Sequence, residues 1–336
     1  MRSQVQRVLI VIPCLNEIAH IGGLLTQLLP FAHKTNARIV VADGGSTDGT
    51  VETVRTASDI DPRVILMHNP KRLQSAGINL AVARYGDGAD VLIRIDAHSR
   101  YPDDYCDVLL AEAAKTSATS ITVGMIAEGK SGIQAINAAV QNSALGTGGS
   151  KHRAHSSGTY VVHGHHALMR IDAFRQVGGY NETFSHNEDA ELDWRLIRAG
   201  HKIWLTSDTF ITYFPRDSFG ALARQYFNYG HGRARTMLEH QMTPQLRQLV
   251  VIMVMPALMF GFLAPLSLLA TVPALVWAMA CLIGGIAIAA RHRSPKFVMT
   301  AVSAAIMHAS WSAGFWINLL QGVFRPLKPK TAAQTQ

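Results

Sequence analysis

Five consecutive apolar residues, 8–12, precede Ile18, Ile21, Leu24, Leu25, Leu28 and Leu29, which recur three and four apart up to Pro30. The first pattern predicts a strand buried on both faces, and the second an amphipathic helix packed against it. The same alternation returns downstream, with strands expected at 38–43, 64–67 and 91–95 and helices at 50–57 and 73–84. Strands alternating with helices predict an α/β fold, a mostly parallel sheet with flanking crossover helices. Residues 160–169 read as a strand interrupted by His163-Gly164-His165-His166, and 202–206 and 211–214 as two more short strands. Residues 217–240 interleave aromatic and basic side chains, as a helix at a membrane surface does.

The pattern changes after residue 248. Residues 249–290 contain no Asp, Glu, Lys, Arg or His, about twice the roughly 20 residues that cross a bilayer as a helix. Two spans are expected, with the turn near Pro265, Thr271 and Pro273. Residues 297–324 form a third apolar run whose one ionisable side chain is His308, readable as a span or as a hairpin in the interface. The expected organisation is a cytosolic domain at 1–216, an amphipathic region at 217–247, a membrane region at 248–324 and a basic tail at 325–336.

Charge sharpens this division. All 23 acidic residues lie before position 247, so nearly all of the net charge of +8 belongs to the apolar tail. A basic excess beside apolar runs predicts membrane flanks rather than nucleic-acid binding. With Arg247 and Arg291-His292-Arg293-Ser294-Pro295-Lys296 on the domain's side, the two spans obey the positive-inside rule. A third crossing would carry Arg325, Lys328 and Lys330 to the far side, which favours an interfacial or re-entrant third segment. The apolar start is too short for a signal peptide, and the widely spaced Cys14, Cys106 and Cys281 suggest neither a disulfide framework nor a zinc site. The expectation is a multi-pass protein of the inner membrane, its catalytic domain facing the cytosol.

Ligands of such sheets bind beyond the carboxyl ends of the strands. Three of the first four strand ends carry polar residues: Asn16-Glu17, Asp43-Gly44-Gly45-Ser46 and Asp96-Ala97-His98. A helix cap accounts for one such carboxylate, but less readily for three on one edge. Downstream, Glu188, Asp189, Glu191 and Asp193 place four carboxylates in six positions. Like charges raise one another's pKa, which suits a proton acceptor working near neutrality, although an acidic first helical turn also complements the macrodipole. On a strand His163 and His165 would share a face and His166 would oppose them, which fits substrate hydrogen bonding better than metal ligation. The small-residue basic loop 146–158 has two open readings, a cover over a ligand or a mobile connection.

Ile12-Pro13-Cys14-Leu15-Asn16-Glu17, Asp43-Gly44-Gly45-Ser46-Thr47-Asp48-Gly49, Asp96-Ala97-His98 and Asn187-Glu188-Asp189 resemble, in order, the motifs of family 2 glycosyltransferases. His163-Gly164-His165-His166, the Gln225–Arg233 stretch and the apolar tail resemble the succinoglycan-type exopolysaccharide glucosyltransferases in particular. The resemblance covers about residues 7–240 and implies the GT-A fold, inversion at the anomeric carbon and a UDP-sugar donor, with glucose expected. It implies that Asp43 binds uracil or ribose, with Pro13, Asn16 and Glu17 shaping that pocket. Asp96 would lie near the ribose and diphosphate, Gln225 and Arg233 would contact the donor, and Asp189 would be the general base. A divalent metal, Mn²⁺ or Mg²⁺, would be held at Asp96 and His98. His98 replaces the family's second metal-binding Asp, and imidazole suits Mn²⁺ better than Mg²⁺. The family's Gln-any-any-Arg-Trp motif of processive synthases is absent as such. One-sugar transfer to a polyprenyl-diphosphate-linked oligosaccharide is therefore expected, alongside other polysaccharide-assembly enzymes. Transfer to polyprenyl phosphate and a non-catalytic membrane scaffold are the alternatives.

Overall fold

The structure is a computed structural model and describes residues 7–149 and 158–323. Most of the basic loop and all of the basic tail lie outside the described residues. Eight strands, β1 (Val8–Cys14), β2 (Arg38–Asp43), β3 (Val64–His68), β4 (Val91–Arg94), β5 (Ser120–Ala127), β6 (Thr159–Val161), β7 (His165–Arg170) and β8 (Ile203–Tyr213), form one sheet. Their order is β3-β2-β1-β4-β7-β5-β8-β6. β1 to β4 are mutually parallel, β7 runs antiparallel between β4 and β5, and β5 and β8 are parallel.

Alternation along the central strand explains the layers. Ile10 and Ile12 face a core shared with α1 (Ile18–Thr35), α2 (Thr50–Ile60) and α4 (Tyr105–Lys115). Leu9 and Val11 face the opposite core, shared with α3 (Gln74–Tyr85), α7 (Ile171–Gln176) and α8 (Glu188–Arg198). Each fully buried Leu or Ile contributes about 1.5–3 kcal/mol relative to exposure, so shifting β1 by one residue would exchange two complete sets of contacts.

Three expectations change. α1 passes through Pro30 instead of stopping there, because Phe31 and Ala32, buried in the core, outweigh the one lost backbone bond. The two short strands at 202–214 are one strand, β8, whose pairing with β5 shifts register between Val123 and Gly124. The strand read at 160–169 is two strands: β6 lies on the sheet edge against β8, and β7 lies inside.

Beyond the sheet, α5 (Gly132–Gln141) and α6 (Ala144–Thr147) lead toward the C-terminal helices α9 (Phe219–His240), α10 (Leu246–Ile252), α11 (Val254–Phe260), α12 (Val272–Arg291) and α13 (Thr300–Val323). Segments Leu246–Leu263 and Leu268–Arg291 are long and apolar enough to cross a membrane. α9 and α13 run side by side in backbone contact: a Cβ added at Gly230 would fall on the Trp311 carbonyl, and one at Gly314 on that of Phe227. Asn137 of α5 anchors this assembly to the sheet, donating to the Arg216 carbonyl (2.8 Å) and accepting from the Ser303 hydroxyl (2.8 Å).

Candidate active site

β1 and β2 end side by side, with Cys14 opposite Asp43, and their turns interlock. Asn16 adopts a left-handed conformation (φ 58°), which Asn tolerates better than most residues. Its backbone N–H donates to Ser46 Oγ (2.8 Å) and its Oδ1 accepts from the Thr47 N–H (2.9 Å). The buried Asp43 carboxylate accepts from the N–H groups of Gly45 (2.8 Å) and Ser46 (3.0 Å) and from the Ser46 hydroxyl. Asn16 and Asp43 thus stand behind the wall and order it. Pro13, Glu17, Gly44, Arg72, Asp96 and His98 are among the residues lining a cavity of about 230 Å³. Gln74, Asp96 and His98 also line a second cavity of about 900 Å³, so the two meet there.

The four crowded carboxylates diverge once α8 winds. Asp189 Oδ1 accepts from Arg94 Nη1 (2.6 Å) and the Tyr180 hydroxyl (3.2 Å). Burial would raise its pKa, but Arg94 and the neighbouring histidines outweigh burial and hold it well below the usual carboxylate range. The expectation that crowding raises this group is therefore overturned, because a buried guanidinium sits closer than the other acids. Glu188 behaves as crowding predicts: burial and Asp189 push it up to about 7. Glu191 is taken by Arg195 (2.6 Å) and His240 (3.0 Å), and Asp193 by His163 (2.7 Å) and His166 (2.6 Å). His163 and His166 therefore converge on one carboxylate instead of opposing each other. The strand begins only at His165, so the alternation does not extend back to His163.

Arg94 was not singled out by motif. It ends the apolar run of β4, and a guanidinium in such a run needs carboxylate partners, which is the signal that could have found it. It also approaches Asp96 Oδ1 (Nε, 3.3 Å), which accepts from Gln74 Nε2 at 2.8 Å. Burial opposes it, yet Arg94, His165 and His98 lower the Asp96 pKa. His98 is half exposed and its Nδ1 lies 2.9 Å from Glu17 Oε1. Among the described residues, no three His, Cys, Asp or Glu side chains converge in a way that could hold a metal ion.

The larger cavity runs from Asp96 and Asp189 to the C-terminal helices. Gln225 lines it and donates to the hydroxyls of Tyr213 (2.8 Å) and Tyr229 (3.0 Å), while its buried Oε1 has no hydrogen-bond partner. Arg216, Arg233 and Arg247 also line the cavity. Burial and the nearby Arg247 charge lower the Arg233 pKa to about 10, so an anion there would relieve both penalties. Val250, Val251, Val254, Trp277, Cys281 and Met307 add apolar lining from the C-terminal helices. None of these last positions carried a motif.

A sheet with a small pocket at its carboxyl edge and an acidic helix start facing that pocket through a shared wall has the GT-A fold of nucleotide-sugar transferases. The mannosyltransferase PcManGT from Pyrobaculum calidifontis, solved with GDP-Man and Mn²⁺, superposes with a TM-score of 0.60 over 95% of this chain and 88% of that one, at 15% identity. Residues 9–178 match the family described as glycosyl transferase family 2. The chain belongs to glycosyltransferase family 2. It is 53% identical to the succinoglycan biosynthesis protein ExoA of Rhizobium meliloti, over 93% of this chain and 94% of that protein. It is also 26% identical to the undecaprenyl-phosphate mannosyltransferase of Micrococcus luteus, over 61% of this chain and 84% of that protein.

Proposed function

We propose that this glycosyltransferase moves one hexose, glucose by the resemblance of its motifs to exopolysaccharide glucosyltransferases, from a UDP-sugar to a polyprenyl-diphosphate-linked saccharide, with inversion, during exopolysaccharide assembly, as its likeness to a succinoglycan biosynthesis protein supports. The observation that carries this reading is that one continuous cavity is lined by carboxylates, by arginines and by apolar side chains of the C-terminal helices. A saccharide, a diphosphate and an isoprenoid chain need those three kinds of lining. The nucleoside takes the small pocket, with Pro13 and Glu17 on its wall and Asn16 and Asp43 ordering the turns behind. The donor diphosphate lies by Asp96, where the cavities meet.

In the single displacement, Asp189 is the base. Its Oδ2 has no hydrogen-bond partner among the described residues, so it takes the acceptor hydroxyl proton as that oxygen attacks the anomeric carbon. One carboxylate suffices, unlike a retaining glycosidase. Gln225 and Arg233 hold polar groups where donor and acceptor meet. Asp96 and His98 fit a divalent cation shared with the diphosphate. Arg94 and Gln74 engage Asp96 Oδ1, His165 Nε2 lies 3.5 Å from Asp96 Oδ2, and Glu17 engages His98 Nδ1, so a cation would take Oδ2 in place of its His165 contact, with His98 Nε2 as the second donor. Such an ion, Mn²⁺ in preference to Mg²⁺ because of the imidazole, would neutralise charge on the leaving diphosphate. Residues 217–247 lie at the cytosolic surface of the inner membrane, beneath the domain at 1–216, and the segments after residue 248 anchor it.

A second acceptor, polyprenyl phosphate itself, is favoured by the likeness to the undecaprenyl-phosphate mannosyltransferase. UDP release by the detergent-extracted full chain, measured with a panel of UDP-sugars, each metal and a short polyprenyl-diphosphate saccharide, tests the proposal. Release confined to one donor, requiring the saccharide lipid and lost in Asp189→Asn, is expected. Equal release with polyprenyl phosphate alone would favour the second acceptor.

A further inference from the structure

Behind Asp189 lies a set of buried groups to which the displacement itself assigns no task. His166 is fully buried and Asp193 nearly so, and burying an ion pair is costly unless every polar atom finds a partner. Here they do. Asp193 Oδ1 lies 2.6 Å from His166 Nε2, and Asp193 Oδ2 accepts from His163 Nδ1 (2.7 Å) and the Gly164 N–H (3.2 Å). His166 Nδ1 lies 2.8 Å from the Tyr180 oxygen, and that oxygen lies 3.2 Å from Asp189 Oδ1. Arg94 Nη1 and His166 Nδ1 also reach Asp189 Oδ1, at 2.6 and 3.4 Å. All of these contacts converge on one oxygen of the carboxylate.

We propose that His166 is a positioning residue for Asp189: clamped by Asp193, it turns the Tyr180 hydroxyl onto one oxygen of the Asp189 carboxylate and leaves the other oxygen aimed at the acceptor. The proton assignment follows from the donor inventory. With both ring nitrogens protonated, His166 donates through Nε2 to Asp193 and through Nδ1 to the Tyr180 oxygen. Arg94 also donates to that oxygen (3.2 Å), so the Tyr180 proton has Asp189 Oδ1 as its acceptor. A neutral His166 reverses the arrangement: Nδ1 becomes an acceptor, captures the Tyr180 proton, and Asp189 loses a donor. The groups facing His166 are Asp193 and Asp189 on α8, Arg94 on β4, His165 beside it on β7 and Tyr180 after α7. Burial disfavours its charge, but Asp193 and Asp189 outweigh burial and raise its pKa. His163, partly exposed on the cavity wall, completes the far side of Asp193.

This inference rests on Asp189 as the base, and the test separates the two. Steady-state transfer to the saccharide lipid is measured across pH for the full-length wild type and for Tyr180→Phe, His166→Gln, their double variant and Asp189→Asn. Tyr180→Phe removes only a hydroxyl and tests the idea even where His166→Gln folds poorly. Expected are a fall in kcat of about 10–100-fold in each single variant, KM for both substrates within about twofold, and a double variant no slower than the worse single. The alkaline limb of the wild-type kcat profile, where His166 loses its proton, should vanish in His166→Gln. Wild-type kcat in Tyr180→Phe, or losses that multiply in the double variant, would overturn the positioning role. Full activity in Asp189→Asn would overturn the assignment of the base.

Discussion

The small pocket is built from residues between Pro13 and His98 alone, whereas the larger cavity is assembled from distant parts of the chain. Asn16, Glu17, Ser46, Thr47 and Thr50 bind one another across separations of 30 to 33 residues, within one strand-helix-strand unit. Across the shared wall, Arg94 meets Asp189 from 95 residues away, Leu145 meets His308 from 163, and Asn137 meets Ser303 from 166. The small pocket therefore belongs to the first four strands, while the larger cavity is complete only with the C-terminal helices in place.

Substitutions can split these two cavities. The largest effect is expected from Gly230→Leu, whose side chain must displace the Trp311 backbone and part α9 from α13. Transfer to lipid should be lost while UDP binding, followed by calorimetry, stays within about twofold. A parallel loss of UDP binding would mean that the cavities are not separable. Next, Arg94→Met leaves Asp96 and Asp189 buried without their shared cation, and removal of one buried ion partner costs about 3–5 kcal/mol. A fall in Tm is expected, together with a rise in both carboxyl pKa values.

The third prediction concerns pH. Glu188 has a folded-state pKa of about 7, above its ordinary value of 4.5. A raised acid binds more protons in the folded than in the unfolded state between those values, so its contribution to stability declines as pH rises from about 4.5 to 7. Glu188→Gln should abolish that decline, worth about 2–3 kcal/mol, as read by melts at pH 5 and pH 7.5. An unchanged slope would reassign the decline to another group. The smallest effect is at the arginines: Arg233→Gln should raise the acceptor KM about tenfold, or about 1.4 kcal/mol, with the donor KM unchanged.

The contrast also explains what could be read in advance. β2 was legible to its exact bounds, and β1, β3 and β4 nearly so, because strands buried on both faces leave continuous apolar runs. The polar residues after β1, β2 and β4 include Glu17, Gly44, Asp96 and His98, which line the small pocket. Pro30 misled because a local rule was outweighed by core packing of Phe31. Residues 105–145 supplied α4, β5 and α5 without any reading in advance, their apolar positions lacking flanking motifs. Arg94 and Tyr180 were missed because their significance lies in which carboxylate they meet, which spacing along the chain does not encode.

The close pairing of α9 with α13 has a consequence in time as well as space. A chain is made from its N-terminus, and domains take shape as they emerge. The small pocket is complete once Asp96 and His98 have folded onto β1 and β2. The wall that holds Met307 and Trp311 is made after both apolar segments. A nascent chain, or one cut short before residue 300, holds the small pocket beside an open trough. The order of synthesis thus completes the larger cavity only after α13 has followed both apolar segments, Leu246–Leu263 and Leu268–Arg291.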